Sequence, residues 1–100
     1  MLFAFSIAPA TTDAPDGSVS AAVADAVRVV RDSGLPHELT SMFTTIEGEW
    51  EEVMPVIKGA CDTVAAHSDR VSLVIKADLR PGRRGELTGK VNRVEELLDE

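Results

Sequence analysis

The alternation of apolar and polar residues along the chain predicts four strands and three helices. Strands are predicted over residues 2–8, 37–41, 42–47 and 70–79, where side-chain character changes at every second position. Helices are predicted over residues 18–33, 49–67 and 87–98, where apolar residues recur every three or four positions. The order of elements is therefore βαββαβ followed by a C-terminal helix.

This order of elements predicts an α+β fold. With right-handed crossovers it builds a four-stranded antiparallel sheet with two helices on one face, the ferredoxin-like α/β sandwich. The expected strand order is 4-1-3-2, which places the first and third strands in the centre. A chain of 100 residues fits one domain, so we expect residues 1–100 to form a single ferredoxin-like unit.

The predicted helices carry apolar stripes that should face the core. The first helix, with Ser18 as its N-cap, presents Val19, Val23, Ala26, Val27 and Val30. The second helix presents Trp50, Val53, Ile57, Ala60, Cys61 and Val64, and the last presents Leu87, Val91, Val94 and Leu98. Pro55 lies inside the second helix and removes a backbone hydrogen bond, so we expect a kink or an irregular first turn there.

The sheet face away from the helices is predicted to mix polar and apolar side chains. If Ile46 and Leu39 face the core, Met42 and Thr44 do as well. The other face then carries Ala4, Ser6, Glu38, Thr40, Phe43, Thr45, Glu47, Val74, Lys76 and Asp78. Because buried polar groups need partners, such a face suggests a surface covered by a second subunit. The polar groups would either hold a ligand between subunits or form an ion pair between Glu47 and Lys76.

The composition of the chain limits the classes of protein to which it can belong. A net charge of −7 argues against a nucleic-acid binder, which needs a basic footprint. The apolar N-terminus lacks a positively charged segment and is shorter than the roughly 20 residues of a membrane span. Cys61 is the only cysteine, which leaves no intramolecular disulfide and no CxxC zinc pattern. We expect a soluble, cytoplasmic protein without a membrane or nucleic-acid partner.

Residues that could carry chemistry are few. The chain shows no Ser-His-Asp set and no phosphate-binding glycine loop, and His37 and His67 lack metal-ligand spacing and are predicted to be ordinary surface histidines. Trp50 could offer a cation–π surface, although its place on the apolar stripe favours a core or interface role. Glu47 is the one candidate for a functional titrating group. These observations favour a non-enzymatic protein with no metal and no cofactor.

One long stretch resembles a known family. Residues 33–54 read S-G-L-P-H-E-L-T-S-M-F-T-T-I-E-G-E-W-E-E-V-M, which is similar to the signature of the small YkoF-like thiamine-binding proteins. The opening strand ending in Ile7-Ala8-Pro9, the run K-A-D-L-R-P-G-R at 76–83 and the run K-V-N-R-V-E-E-L-L at 90–98 match as well. Relatives typically read P-M-G-T where this chain has Ser41-Met42-Phe43-Thr44, so a ring replaces a glycine beside the expected pocket.

The resemblance implies a ferredoxin-like fold whose open sheets pack into dimers and often tetramers. It also implies binding of thiamine or its hydroxymethylpyrimidine moiety without known catalysis. On this hypothesis hydroxyl groups donate hydrogen bonds, a carboxylate pairs with the aminopyrimidine or thiazolium, and a ring forms a flat wall. The predicted ligand-binding residues are Ser6, Phe43, Thr44, Thr45, Glu47, Trp50 and Lys76. The alternative is a structural or regulatory homo-oligomer that binds no small molecule.

Overall fold

The computed structural model describes residues 1–10 and 19–99 and shows the predicted order of elements. The strands are β1 (Leu2–Pro9), β2 (His37–Leu39), β3 (Thr44–Glu47) and β4 (Val71–Asp78). The helices are α1 (Ser20–Asp32), α2 (Trp50–Ala65) and α3 (Glu86–Leu98). The predicted N-cap Ser18 lies outside the described residues. Of the helices described, none has the length and apolar character needed to cross a bilayer.

The four strands form one antiparallel sheet in the order β2-β3-β1-β4, so the predicted α+β ferredoxin-like arrangement is confirmed. The register aligns Lys76, Ala4, Thr45 and Glu38 in one row across the sheet. Because alternate residues point to opposite faces, this row lies on the face opposite the core. We call that face the open face.

The hydrophobic core lies between the sheet and helices α1 and α2. Phe3, Phe5 and Ile46 from the central strands pack with seven helix residues, namely Ala22, Ala26, Val30, Val53, Ile57, Ala60 and Val64. The alternation that placed Ile46 inward and Thr45 outward is thus correct. Burial of each large apolar side chain stabilises the fold by roughly 1.5–3 kcal/mol, so these residues determine how both helices pack on the sheet.

The connection between β2 and β3 is a tight turn, which shortens the strand predicted over 42–47. The Thr40 backbone N–H and hydroxyl both donate to the Phe43 carbonyl, at 2.9 and 2.8 Å. The Phe43 N–H in turn donates to the Thr40 hydroxyl at 3.3 Å. The strand therefore begins at Thr44. Met42, predicted to face inward, lies in this turn and is 73% exposed, so that prediction is wrong.

Helix α2 begins with a reciprocal cap. The Glu49 N–H donates to the Glu52 carboxylate at 2.9 Å, and the Glu49 side chain accepts from the Glu52 backbone. The helix then runs from Trp50 through Pro55 as continuous α-helix, so the predicted irregular first turn is wrong. The carbonyl that Pro55 leaves without an intrahelical donor belongs to Glu51, an exposed residue, where water can hydrate it.

Helix α3 packs mainly against β3, and only its first turn is well covered. The prediction that its apolar stripe is buried is wrong within the single chain. Leu87 is half-buried, but four large side chains further along are 55–72% exposed: Val91, Val94, Leu97 and Leu98. The rest of the helix therefore presents an apolar surface with no partner among the described residues.

Candidate functional site

The structure divides the seven predicted ligand-binding residues among separate places. Three of them, Ser6, Phe43 and Thr44, line one cavity. The remaining four lie elsewhere: Thr45 and Lys76 on the open face, Glu47 beneath α3, and Trp50 at the start of α2. Within the described part of one chain, the seven residues therefore do not share one cavity.

The cavity lies between β1, α1 and the β2–β3 turn, and we call it the hairpin cavity. Its volume of about 340 Å³ falls in the range of small-molecule sites. It is lined by Phe5, Ser6, Ile7, Ala8, Val19, Val23, Ala26, Val27, Val30, Leu39, Thr40, Ser41, Met42, Phe43 and Thr44. This lining is apolar with a few hydroxyl groups and includes no charged side chain among the described residues, so it suits a neutral ring.

The α1 wall of the hairpin cavity comes from the helix's predicted core stripe. Ala26 and Val30 are buried as expected, but Val19 and Val23 are each more than one-third exposed. The stripe therefore borders the cavity along its length, and it is well covered only towards the C-terminal end of α1. A core stripe and a cavity wall share the same apolar pattern, because both favour residues that exclude water.

Thr44 supplies a directed polar group in this apolar cavity. Its side chain is only 7% exposed, and its hydroxyl forms no hydrogen bond within residues 1–10 and 19–99. The neighbouring Thr40 hydroxyl, by contrast, donates to the Phe43 carbonyl. Among the described residues no fully buried side-chain oxygen or nitrogen lacks a partner, so the Thr44 hydroxyl keeps some solvent access and is free to bond a water or a ligand atom in the cavity.

Glu47 holds the start of α3. Its carboxylate accepts hydrogen bonds from the Glu86 N–H at 2.8 Å and, more weakly, from the Leu87 N–H at 3.5 Å. The helix's own N-cap residue is Gly85, which has a φ of 72° and no side chain to cap with. Glu47 therefore caps α3 from a neighbouring strand. Within the described part of the single chain, Glu47 forms no ion pair with Lys76, and Lys76 forms none with any other residue.

The same helix start carries a second buried carboxylate, Glu86. The Arg93 guanidinium donates to it at 2.6 Å and that of Arg83 at 3.3 Å. These arginines, Arg93 foremost, hold the pKa of Glu86 below its usual value of 4.5 although burial opposes them. Glu86 thus links the first turn of α3 to its third turn and to the preceding loop, whereas Glu47 holds the helix on the sheet and has little capacity to bind a ligand while α3 is docked.

Trp50 is 47% exposed, so its predicted place in the core stripe is wrong. Its ring meets Phe3 edge to face, with ring centroids 5.9 Å apart. The indole therefore covers one margin of the core and does not border the hairpin cavity. On the open face, Thr45 of β3 and Lys76 of β4 lie in one row, on either side of Ala4 in the intervening strand β1.

Side chains that could bind a metal ion lie apart from one another in the described part of the chain. Within residues 1–10 and 19–99, no three His, Cys, Asp or Glu side chains come together as a metal site. His67 instead lies 2.9 Å from the Asp25 carboxylate and links the end of α2 to α1. That hydrogen bond is the main reason why the pKa of Asp25 is lowered. His67 is therefore a structural residue and not an ordinary surface histidine.

A family model described as thiamine-binding protein matches residues 3–95. The chain belongs to this family. The chain is also similar to proteins named UPF0045. One of them, the UPF0045 protein Mb1933 of Mycobacterium bovis, is 48% identical over 99 residues, covering 98% of this chain and 94% of that one.

Solved structures of family relatives share the fold. A hypothetical protein from Methanocaldococcus jannaschii superposes with a TM-score of 0.82 at 30% identity, covering 95% of both chains. A domain of unknown function from Bacillus cereus superposes with a TM-score of 0.79 at 31% identity, covering 90% of this chain and 85% of that one. A candidate thiamine biosynthesis/salvage protein from Thermotoga maritima gives 0.74 at 24% identity, covering 92% and 97%, which shows the fold alone.

Proposed function

We propose that this protein is a non-enzymatic, oligomeric binding protein for thiamine or a related hydroxymethylpyrimidine, and that the pyrimidine ring occupies the hairpin cavity. The observation that carries this proposal is Thr44, a residue 7% exposed that lines an apolar cavity and whose hydroxyl forms no hydrogen bond among the described residues. The family to which the chain belongs supports the choice of ligand.

The charge of the lining supports one orientation of the ligand. Thiamine joins a neutral aminopyrimidine to a cationic thiazolium ring. The described lining of the hairpin cavity offers no carboxylate to a cation, but it offers apolar walls and hydroxyls to a neutral ring. The pyrimidine therefore fits inside, hydrogen-bonded to Thr44, and the thiazolium fits at the mouth. The net charge of −7 favours the approach of such a cation.

The test is calorimetric titration with thiamine and with hydroxymethylpyrimidine on the native chain, the Thr44→Val variant and the Thr45→Val variant. A ligand of this size should bind with a Kd of about 100 μM or tighter. Thr44→Val should weaken binding about tenfold, because it removes a buried hydrogen bond to the ligand. It should not destabilise the fold, since the hydroxyl has no protein partner to lose.

Thr45→Val is the matched control, because it is the same substitution one residue along and on the opposite face of the sheet. It should leave binding unchanged. If Thr45→Val abolishes binding and Thr44→Val does not, the ligand lies on the open face between subunits and the cavity assignment is refuted. If neither ligand produces heat, the binding function itself is refuted.

Self-association is the second part of the proposal. The exposed side chains of Val91, Val94, Leu97 and Leu98 form an apolar strip on α3, beside the mixed open face. Such a strip is favourably buried against a second copy of the chain. Light scattering should show a dimer or tetramer, and Val94→Glu should lower the measured mass to that of a monomer.

The strip also favours a second candidate function, a structural or regulatory homo-oligomer without a ligand. This alternative would be supported if light scattering shows an oligomer and calorimetry detects no heat of binding for either ligand. A monomeric mass for the native chain would refute both versions of self-association. Glu47→Ala does not discriminate between them, because loss of Glu47 releases the first turn of α3 whatever the ligand does.

A further inference from the structure

A second apolar surface continues from the hairpin cavity along the outer side of α1. It encloses about 440 Å³ and shares four apolar side chains with the hairpin cavity, namely Val19, Val23, Val27 and Leu39. Leu39, predicted to face the core, is about half exposed here. The remaining lining includes two basic residues, Arg28 and Arg31. We call this surface the arginine groove.

The helix places a positive charge next to the wall that the two cavities share. Val23, Val27 and Arg31 are spaced four residues apart, so they lie on one face of α1 at steps of about 6 Å. The Arg28 guanidinium is engaged with Asp25 at 2.9 Å. Arg31 forms no ion pair within the described part of the chain. The groove therefore offers, one helical turn beyond the hairpin cavity, a guanidinium without an ion-pair partner in the described part of the chain.

We propose that the arginine groove binds the phosphate group of a phosphorylated pyrimidine ligand whose ring occupies the hairpin cavity. This inference rests on the proposed function and specifies its ligand class. A guanidinium repels the thiazolium of unphosphorylated thiamine but attracts a phosphate ester attached to it. Arginine also matches the geometry of phosphate oxygens better than lysine does. The continuity of the two cavities lets one elongated molecule reach both sites.

Calorimetry with thiamine and thiamine monophosphate tests this, because the two ligands differ only by the phosphate. The native chain should bind the monophosphate about five- to tenfold more tightly, as expected for one or two partly exposed ion pairs. Arg31→Gln should bring the two affinities together, because it removes the guanidinium that attracts the phosphate and repels the thiazolium. The matched control is Arg84→Gln, which removes the same charge from an exposed residue outside the groove.

The outcomes separate this inference from the proposed function. Equal affinity for both ligands in the native chain would refute the phosphate assignment and leave the binding function intact. A preference for the monophosphate that survives Arg31→Gln, or that Arg84→Gln removes equally, would also refute it. Absence of binding by both ligands would refute the proposed function and this inference together. Thermal unfolding of Arg31→Gln should match the native chain, since exposed substitutions change stability little.

Discussion

Replacing Glu47 with alanine should detach α3 from the sheet. The Glu47 carboxylate accepts the Glu86 N–H at 2.8 Å and the Leu87 N–H at 3.5 Å, and Gly85 offers no side chain in its place. Isolated helices shorter than about 12–15 residues are marginal in water, and α3 has 13 residues. The helix therefore depends on this attachment within the single chain.

The size of the effect follows from one short hydrogen bond to a charged acceptor. A bond of this kind contributes about 1.5–3 kcal/mol, and loss of a helix N-cap costs about 0.5–2 kcal/mol. Both figures describe the same contact and are not added. We therefore expect Glu47→Ala to lower the free energy of opening α3 by about 2 kcal/mol, which raises the opened population roughly 30-fold.

Hydrogen exchange followed at individual amides measures this directly. Protection of the α3 amides should fall about 30-fold in Glu47→Ala, while amides of β1 and α2 change less. In Glu47→Gln, protection of the α3 amides should lie between that of the native chain and that of Glu47→Ala, because the amide oxygen still accepts a hydrogen bond but carries no charge. Glu38→Ala, which removes an exposed carboxylate from β2, is the matched control. Unchanged protection of α3 in Glu47→Ala would refute the capping role.

Three further substitutions or treatments test the packing and electrostatics. Gly48→Ala should destabilise the fold by about 1–3 kcal/mol, because a Cβ there would lie 2.9 Å from the buried Val53 Cγ2; an unchanged melting temperature would contradict this. Arg93→Gln should lower stability near neutral pH. The difference from the native chain should shrink only as the pH falls below the usual Glu86 value of 4.5 and through the lowered pKa of the folded state, where the carboxylate becomes protonated. Burial raises the pKa of the Cys61 thiol, so alkylation should be slower in the folded chain than in urea; equal rates would contradict it.

Much of the fold could be predicted because the chain's periodicity reflects local geometry. Alternation placed Ile46 inward and Thr45 outward correctly, and a 3.6-residue repeat located α1 and α2. The errors fall where a local hydrogen bond competes with the pattern. Thr40 closes a turn on Phe43 and thereby removes two residues from the predicted strand.

The candidate site could be predicted only in part. Thr44 and Phe43 were found through the resemblance, and both line the hairpin cavity. Alternation put Glu47 on the same side of β3 as Thr45, but nothing in its local sequence indicates that the backbone of α3, 39 residues later, would cover it and occupy its carboxylate. Arg31 was missed, and the signal that could have found it is its spacing of four residues from Val27 on an apolar helix face.

The sequence by itself determined the order of elements, the antiparallel sheet and the faces of most side chains, because these depend on neighbours within a few residues. Tertiary structure decided which apolar side chains are covered. Val23 and Val30 lie on the same predicted stripe and both line the hairpin cavity, yet Val23 is more than one-third exposed and Val30 is fully buried. That difference depends on where β1 and the β2–β3 turn end relative to α1. It is a distance between segments remote in sequence, which no local pattern encodes.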